Sequence, residues 1–224
     1  ERADHYWNRK AVGLERVRFV PMETAEKALE AYRAGSVDAI TNANFEPLAL
    51  KLLAPYEDFR RTTHSALNYY EFNTRSAPFR DRRVREALTI AIDRQRLAEG
   101  ELEGSVEPAN KFLSLNDNRK FEIAYDVEDA RGHLAAAGYP DGEGFPKIRL
   151  VINRNNLQQR IARFVARMWK QNLNIDTDII VKEPAEIEAA RASGDYDLMR
   201  RGIVLPTADE LVSLSAIFGT DQMM

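Results

Sequence analysis

Tyr69 and Tyr70, Arg191, Arg200 and Arg201, and Asn42 and Asn44 are side chains of this sequence whose types could make polar, non-covalent contacts. A tyrosine ring offers wide, rigid contact and a hydroxyl that bonds to amides. An arginine fork can clamp a carboxylate through two parallel hydrogen bonds. Each residue also has a plainer reading. Neighbouring tyrosines in a strand point to opposite faces, so either can be a packing residue. Surface arginines pair with nearby acids, and asparagines after a strand often cap turns. Arg200 stands out because it closes the run Tyr196-Asp197-Leu198-Met199, which reads as a strand. In open α/β sheets the ligand crevice lies outside the C-terminal ends of the strands. Arg191 and Arg201 are weaker candidates for the same role.

Other chemistries find no support in the sequence. With no cysteine there is no disulfide, thiolate metal site or cysteine nucleophile. His5, His64 and His133 are scattered, and none has a partner at metal-ligand spacing. Ser65, Ser114 and the acids form no recognisable triad or glycosidase pair, and no glycine-rich phosphate loop is present. No catalytic residue, metal or cofactor is therefore expected. The net charge of -3 gives no reason to expect nucleic acid as a partner. The run Arg80 to Arg85, broken by Asp81 and followed by Glu86, reads as a solvated helix face. At 44% hydrophobic and 30% charged residues, the chain reads as folded rather than disordered. No apolar stretch reaches the roughly 18 residues that suggest a membrane helix. The sequence starts at Glu1 with no basic-then-apolar signal pattern, and both ends read as cut from something longer.

The candidate side chains must be held by strands that alternate with helices. Leu14 to Val20 alternates like a strand, Thr24 caps a helix over Ala25 to Arg33, and Val37 to Thr41 reads as a second strand. Together these make an expected βαβ unit. A helix over Pro47 to Leu53 and a polar crossover at Tyr56 to Thr63 follow. Next come a strand over Ala66 to Phe72, a break at Ala77-Pro78, and an Asp81-capped helix over Arg82 to Ile92. Gly100 to Lys120 reads as a long irregular loop. Helices are expected over Val127 to Ala137, Gln158 to Asn172, Ala185 to Ala192 and Ala208 to Ile217. Strands are expected over Ile148 to Ile152, Ile175 to Val181 and Tyr196 to Arg200. The alternation predicts an α/β fold, a mixed and mainly parallel sheet flanked by helices.

Several segments, in this order, carry a resemblance. They are Tyr6-Trp7, Tyr32 to Asp38 (a turn around Gly35), the strand-turn-helix run Tyr69 to Arg94, Leu134-Ala135-Ala136-Ala137-Gly138-Tyr139-Pro140-Asp141-Gly142, Met168-Trp169-Lys170-Gln171-Asn172-Leu173-Asn174-Ile175, and Gly194-Asp195-Tyr196-Asp197. The chain resembles the family 5 extracellular solute-binding proteins, the peptide- and nickel-binding receptors of ABC importers. The resemblance implies a type II periplasmic-binding-protein architecture, two α/β lobes closing on ligand about a hinge. Residues 1–64 would be a remnant of the first lobe, and residues 65–224 most of the second, lacking its C-terminal return. It also implies a non-enzymatic, monomeric, periplasmic receptor that passes a peptide or peptide-like solute to permease subunits. The implied ligand-binding residues are Asn42, Tyr69, Tyr70, Arg191, Arg200, Ile203 and Val204. Peptide receptors of the family commonly carry tryptophan and aspartate where Ile203 and Pro206 stand here; Asp209 and Glu210 follow as stand-ins. That departure points away from a free-amine peptide and toward a modified peptide, an opine-like compound, a sugar or another solute. Nickel finds no support in the scattered histidines. The alternative reading keeps the fold as the ligand-sensing domain of a cytoplasmic transcriptional regulator, and an acid-pair hydrolase ranks last.

Overall fold

The computed structural model describes residues 5–41, 43, 45–61, 66–111, 122–204, 209, 211–213 and 215. The chain divides into two compact units, Glu1–Ala49 and Leu50–Met224.

In the first unit, α1 (Ala25–Arg33) forms where its cap predicts, with the Thr24 hydroxyl accepting from the Lys27 backbone N–H at 3.2 Å. Gly35, at φ 69°, turns the chain out of the helix. α2 (Pro47–Leu53), which spans the division between the units, also forms. The two strands expected around α1 do not. Leu14 to Val20 and Val37 to Thr41 stay irregular, so the expected βαβ unit reduces to a helix between irregular segments. The reason is that a strand exists only where a neighbour completes its ladder of N–H and C=O groups. No strand among the described residues pairs with either run. The apolar half of the alternation is left in solvent, with Phe19 86% exposed.

The second unit contains β1 (Ala66–Phe72), α3 (Arg82–Ile90), a short α4 (Arg94–Arg96) widening into a turn over Leu97–Glu101, α5 (Val127–Ala136), β2 (Ile148–Asn153), α6 (Asn156–Leu173), β3 (Thr177–Lys182), α7 (Pro184–Ser193) and β4 (Leu198–Val204). The strand order is β1-β4-β2-β3; β2 runs parallel to both β3 and β4, and β1 runs antiparallel to β4. This is the mixed, mainly parallel sheet the alternation predicts. Side-chain caps begin several of these helices: Asp81 accepts from Arg83 N–H, Asp93 from Arg96 N–H, Asp126 from Asp129 N–H, and Asn155 from Gln158 N–H. Each such cap typically contributes about 1 kcal/mol.

One sheet face, carrying Leu150, Ile152 and Leu198, packs against Val84 and Leu88 of α3, Leu134 of α5, and Val165 and Trp169 of α6. The Trp169 indole N–H donates to the Leu88 carbonyl at 2.8 Å, so burying that ring leaves no orphan donor. The opposite face, with Val151 and Met199, packs on Ala190 of α7 and on Tyr196.

Several boundaries shift from expectation, and two expected segments lie partly outside the described residues. β4 continues to Val204 rather than ending at Arg200, because β1 supplies an antiparallel partner as far as the pair Ala66 and Val204. The expected loop after Gly100 begins as ordered turn, and its continuation through residues 112–121 lies outside the described residues. Half of the residues of the helix expected over Ala208 to Ile217 also lie outside them; within it Leu211, Val212, Ser213 and Ser215 are helical, and Asp209 accepts from the Val212 backbone N–H at 2.9 Å, as a cap does.

Candidate functional site

The β1–β4 register decides what the candidate side chains meet. Tyr70 lies opposite Arg200, Tyr69 opposite Arg201, and Asn68 opposite Gly202. Residues directly opposite in a ladder share a sheet face. Tyr70, Arg200, Asn68 and Gly202 therefore sit on the face that carries Leu198, while Tyr69 and Arg201 sit on the α7 face with Met199.

On the first face Tyr70 packs into the core margin, its ring centroid 6.4 Å from that of Trp169. Its hydroxyl is buried with no hydrogen-bond partner among the described residues. Burial holds the phenol well above the usual tyrosine range, while the nearby Arg200 charge pulls weakly the other way. Tyr70 is thus a neutral O–H group at neutral pH. Arg200 donates from Nη2 to Asn68 Oδ1, and its Nε is buried without a partner. Burial holds the guanidinium below the usual arginine value, against a smaller opposing pull from Tyr70 and with the charge of Arg201 adding the least. It nonetheless stays charged. Among the described residues no carboxylate forms an ion pair with Arg200.

The second face is paired. Arg201 Nε lies 3.6 Å from Glu71 Oε2, and its Nη1 lies 3.9 Å from Glu188 Oε1. Tyr196 donates its hydroxyl to Glu71 Oε1 at 3.2 Å. Burial, and next the Glu71 charge, raise the Tyr196 phenol above its ordinary value. Arg191, on α7, lies 4.0 Å from Glu188 Oε2. These contacts join β1, β4 and α7 on this side.

The structure therefore separates the three candidate arginines. Arg191 and Arg201 meet acids, whereas Arg200 meets an amide. Arg200 is also inside β4 rather than at its end, two residues before Gly202. Ile203 and Val204 belong to the same strand, and Val204, at its C-terminal end, is 59% exposed. Asn42, Asn44, Pro206 and Glu210 lie outside the described residues.

Two residues that the sequence reading passed over join this picture. Asn68 holds Arg200, and the side-chain oxygen of Asn153 is buried without a partner at the C-terminal end of β2. Both carry a signal in hindsight, because asparagine is depleted in strands unless its amide has a task.

A separate depression of about 450 Å³ lies along α6, lined by Arg96, Glu101, Glu103, Arg160, Phe164 and Arg167. Its charges largely answer one another, with Glu101 shared between Arg160 at 3.6 Å and Arg167 at 3.0 Å. It does not include the β1–β4 cluster. What that cluster can do is accept an anionic or carbonyl oxygen on a half-buried cation.

Comparison with known proteins agrees with this architecture. The family model for bacterial extracellular solute-binding proteins, family 5 Middle, matches residues 1–224. The chain is 32% identical over 206 residues to the periplasmic murein peptide-binding protein MppA of Escherichia coli, covering 88% of this chain and 38% of MppA. It is 27% identical over 212 residues to the periplasmic oligopeptide-binding protein OppA of the same organism, covering 90% of this chain and 39% of OppA. Among solved structures, a periplasmic oligopeptide-binding protein from Borrelia burgdorferi superposes with a TM-score of 0.74 at 31% identity, covering 94% of this chain and 42% of that one. The unliganded open form of MppA gives a TM-score of 0.74 at 30% identity with the same coverage, 94% and 42%. These neighbours have the type II periplasmic-binding-protein fold. The chain spans about two fifths of the length of these relatives. By the match over its whole length and by its sheet, the chain belongs to the family 5 bacterial extracellular solute-binding proteins.

Proposed function

We propose that these residues form one wall, with part of the hinge, of a two-lobed periplasmic receptor that captures a peptide or peptide-like solute for an ABC permease. The family is one of binding proteins, and its relatives MppA and OppA are named for murein peptide and oligopeptide binding. Those names favour import over the regulatory alternative. In this reading residues 1–64 belong to the first lobe and residues 65–224 to the second. The receptor works as a monomer, and a solute that touches both lobes selects the closed state.

One observation carries the chemistry: Arg200 is a half-buried cation whose charge no described carboxylate offsets. A buried charge without a counter-charge is costly unless a ligand completes it. The solute in this reading brings a carboxylate to Arg200, with Tyr70 beside it. In this reading Val204 lines the same wall at the end of β4 and Asn42 contributes from the first lobe, while Tyr69, Ile203 and Arg191, which lie on the α7 side, reach the solute around the end of β4. Ile203 and Pro206 offer no acid for a free ammonium, so the amino end of the solute is modified or held elsewhere.

The test is a thermal-shift screen of the full-length gene product against peptides, peptide amides, opines and sugars. Ligand binding raises the melting temperature by mass action. The expected result is stabilisation by carboxylate-bearing, peptide-like compounds, reduced in Arg200→Gln. Stabilisation by neutral sugars alone, or an Arg200→Gln response equal to wild type, would contradict the reading.

A further inference from the structure

We infer that Asn68 and Gly202 are positioning residues for Arg200, an uncharged bracket that fixes its guanidinium against β4 without cancelling its charge. The inference rests on the reading of Arg200 as the solute's anion seat, and it goes further by assigning work to two residues that reading leaves idle.

Asn68 and Gly202 face each other across the β1–β4 ladder, two residues along from the Tyr70 and Arg200 pair. The Arg200 side chain lies over Gly202. A Cβ built at Gly202 would stand 2.9 Å from Arg200 Nη2, 3.3 Å from its Cζ and 3.3 Å from Asn68 Oδ1. Gly202 is not among the residues with positive φ, so backbone freedom does not explain the glycine. Glycine inside a strand weakens it and marks a close approach by another group. Here that group is the guanidinium, and the missing side chain is its berth.

Asn68 completes the bracket by accepting from Arg200 Nη2. Neutral partners occur elsewhere, since Arg94 and Arg131 donate to backbone carbonyls and Arg163 to the Gln159 amide, whereas Arg201 meets Glu71 and Glu188 and Arg149 meets Asp195 and Asp197. What sets Arg200 apart is a neutral partner beside the buried Tyr70 hydroxyl. At position 68 a carboxylate could hold the same donor, but it would also supply the counter-charge that a solute anion must otherwise provide. The amide supplies geometry alone. Arg200 Nε and the Tyr70 hydroxyl have no partner among the described residues, so the anchored fork still has polar capacity nearby.

The test uses the ¹⁵N-labelled full-length gene product, with the Arg200 side-chain signals assigned by their loss in Arg200→Lys. Wild type should give separate, slowly exchanging Nη signals from a fixed guanidinium. Asn68→Ala and Gly202→Ala should merge them, while Asn68→Asp should keep them separate. Trialanine and trialaninamide serve as probes of charge. Asn68→Asp should cut the preference for the free acid by about tenfold or more, although the guanidinium stays fixed. Averaged Arg200 signals in wild type, or signals unchanged in both alanine variants, would overturn the inference. So would an undiminished preference for the acid in Asn68→Asp. If wild type shows no preference for the acid at all, the anion seat fails instead, and the side-chain spectra still decide whether the bracket exists.

Discussion

Arg149 and Arg200 lie toward opposite ends of the β2–β4 pair, and the protein treats them in opposite ways. At the N-terminal end, Arg149 Nη1 meets Asp195 Oδ1 at 2.5 Å and its Nε lies 3.4 Å from Asp197 Oδ2. The Arg149 backbone N–H also donates to Asp197 Oδ2, at 2.8 Å. Nearby, the Asn73 amide donates to the carbonyls of Gly194 and Tyr196, each at 3.0 Å. These donors have partners, and together they tie β1, β2 and β4. Toward the C-terminal end, Arg200 meets an amide, and Arg200 Nε, the Tyr70 hydroxyl and the Asn153 oxygen are buried without a partner among the described residues. Buried polar groups in native proteins are nearly always paired, so a local run of exceptions calls for an explanation. Thr177 Oγ1, at the start of β3, is also buried without a partner among the described residues, so the contrast lies in the arginines: Arg149 is answered by two carboxylates, and Arg200 by none among the described residues.

The contrast can be broken first at Arg200. Arg200→Gln should lower affinity for a carboxylate-bearing solute by about 10- to 100-fold, the range for losing a hydrogen bond to a charged group. Stability should change by less than about 0.5 kcal/mol, since no ion pair within the described residues is lost. Calorimetric titration and a urea melt on the same sample separate the two effects. Asp197→Ala should do the reverse. It removes the acceptor of a backbone N–H and one partner of Arg149, costing about 1–2 kcal/mol in a urea melt and leaving solute affinity unchanged. A loss of affinity there would show that the two ends are not independent.

A smaller effect concerns Asp81, which caps α3 and pairs with the exposed Arg83 at 2.6 Å. The hydrogen bond from the Arg83 side chain, and next that from its backbone N–H, holds the Asp81 carboxyl below its ordinary value. A depressed folded-state pKa means stability that is present above the unfolded carboxylate value and is lost as pH falls through the lower folded one. Asp81→Asn should therefore lower the neutral plateau of a stability–pH profile slightly, flatten the acid limb, and converge with wild type at low pH. A steeper acid limb in the variant would contradict the assignment.

The helices were legible because their signals are local. Asp126 followed by Val127–Ala136, and Asn155 followed by the apolar stripe Ala162, Val165 and Trp169, state their own boundaries within a few residues. The failures lie where structure depends on a distant partner. Leu14 to Val20 alternates like a strand, yet no described strand completes its ladder. β4 reaches Val204 because β1 reaches back to Ala66. The candidate site shows the same divide. Adjacency of Tyr69 and Tyr70 guarantees opposite faces, but only the register shows that Tyr70 shares a face with Arg200. Asn68, which holds that arginine, is 132 residues away in sequence, and nothing local announces the pairing.

The central claim is that Arg200 is an open positive charge waiting for a solute anion, and one measurement addresses it directly. The full-length gene product, as wild type and as Arg200→Gln, is titrated calorimetrically with trialanine and with trialaninamide. The account predicts that wild type favours the free acid by about tenfold or more and that Arg200→Gln binds both alike. Equal affinity in wild type, or a preference for the acid that survives the substitution, would contradict it.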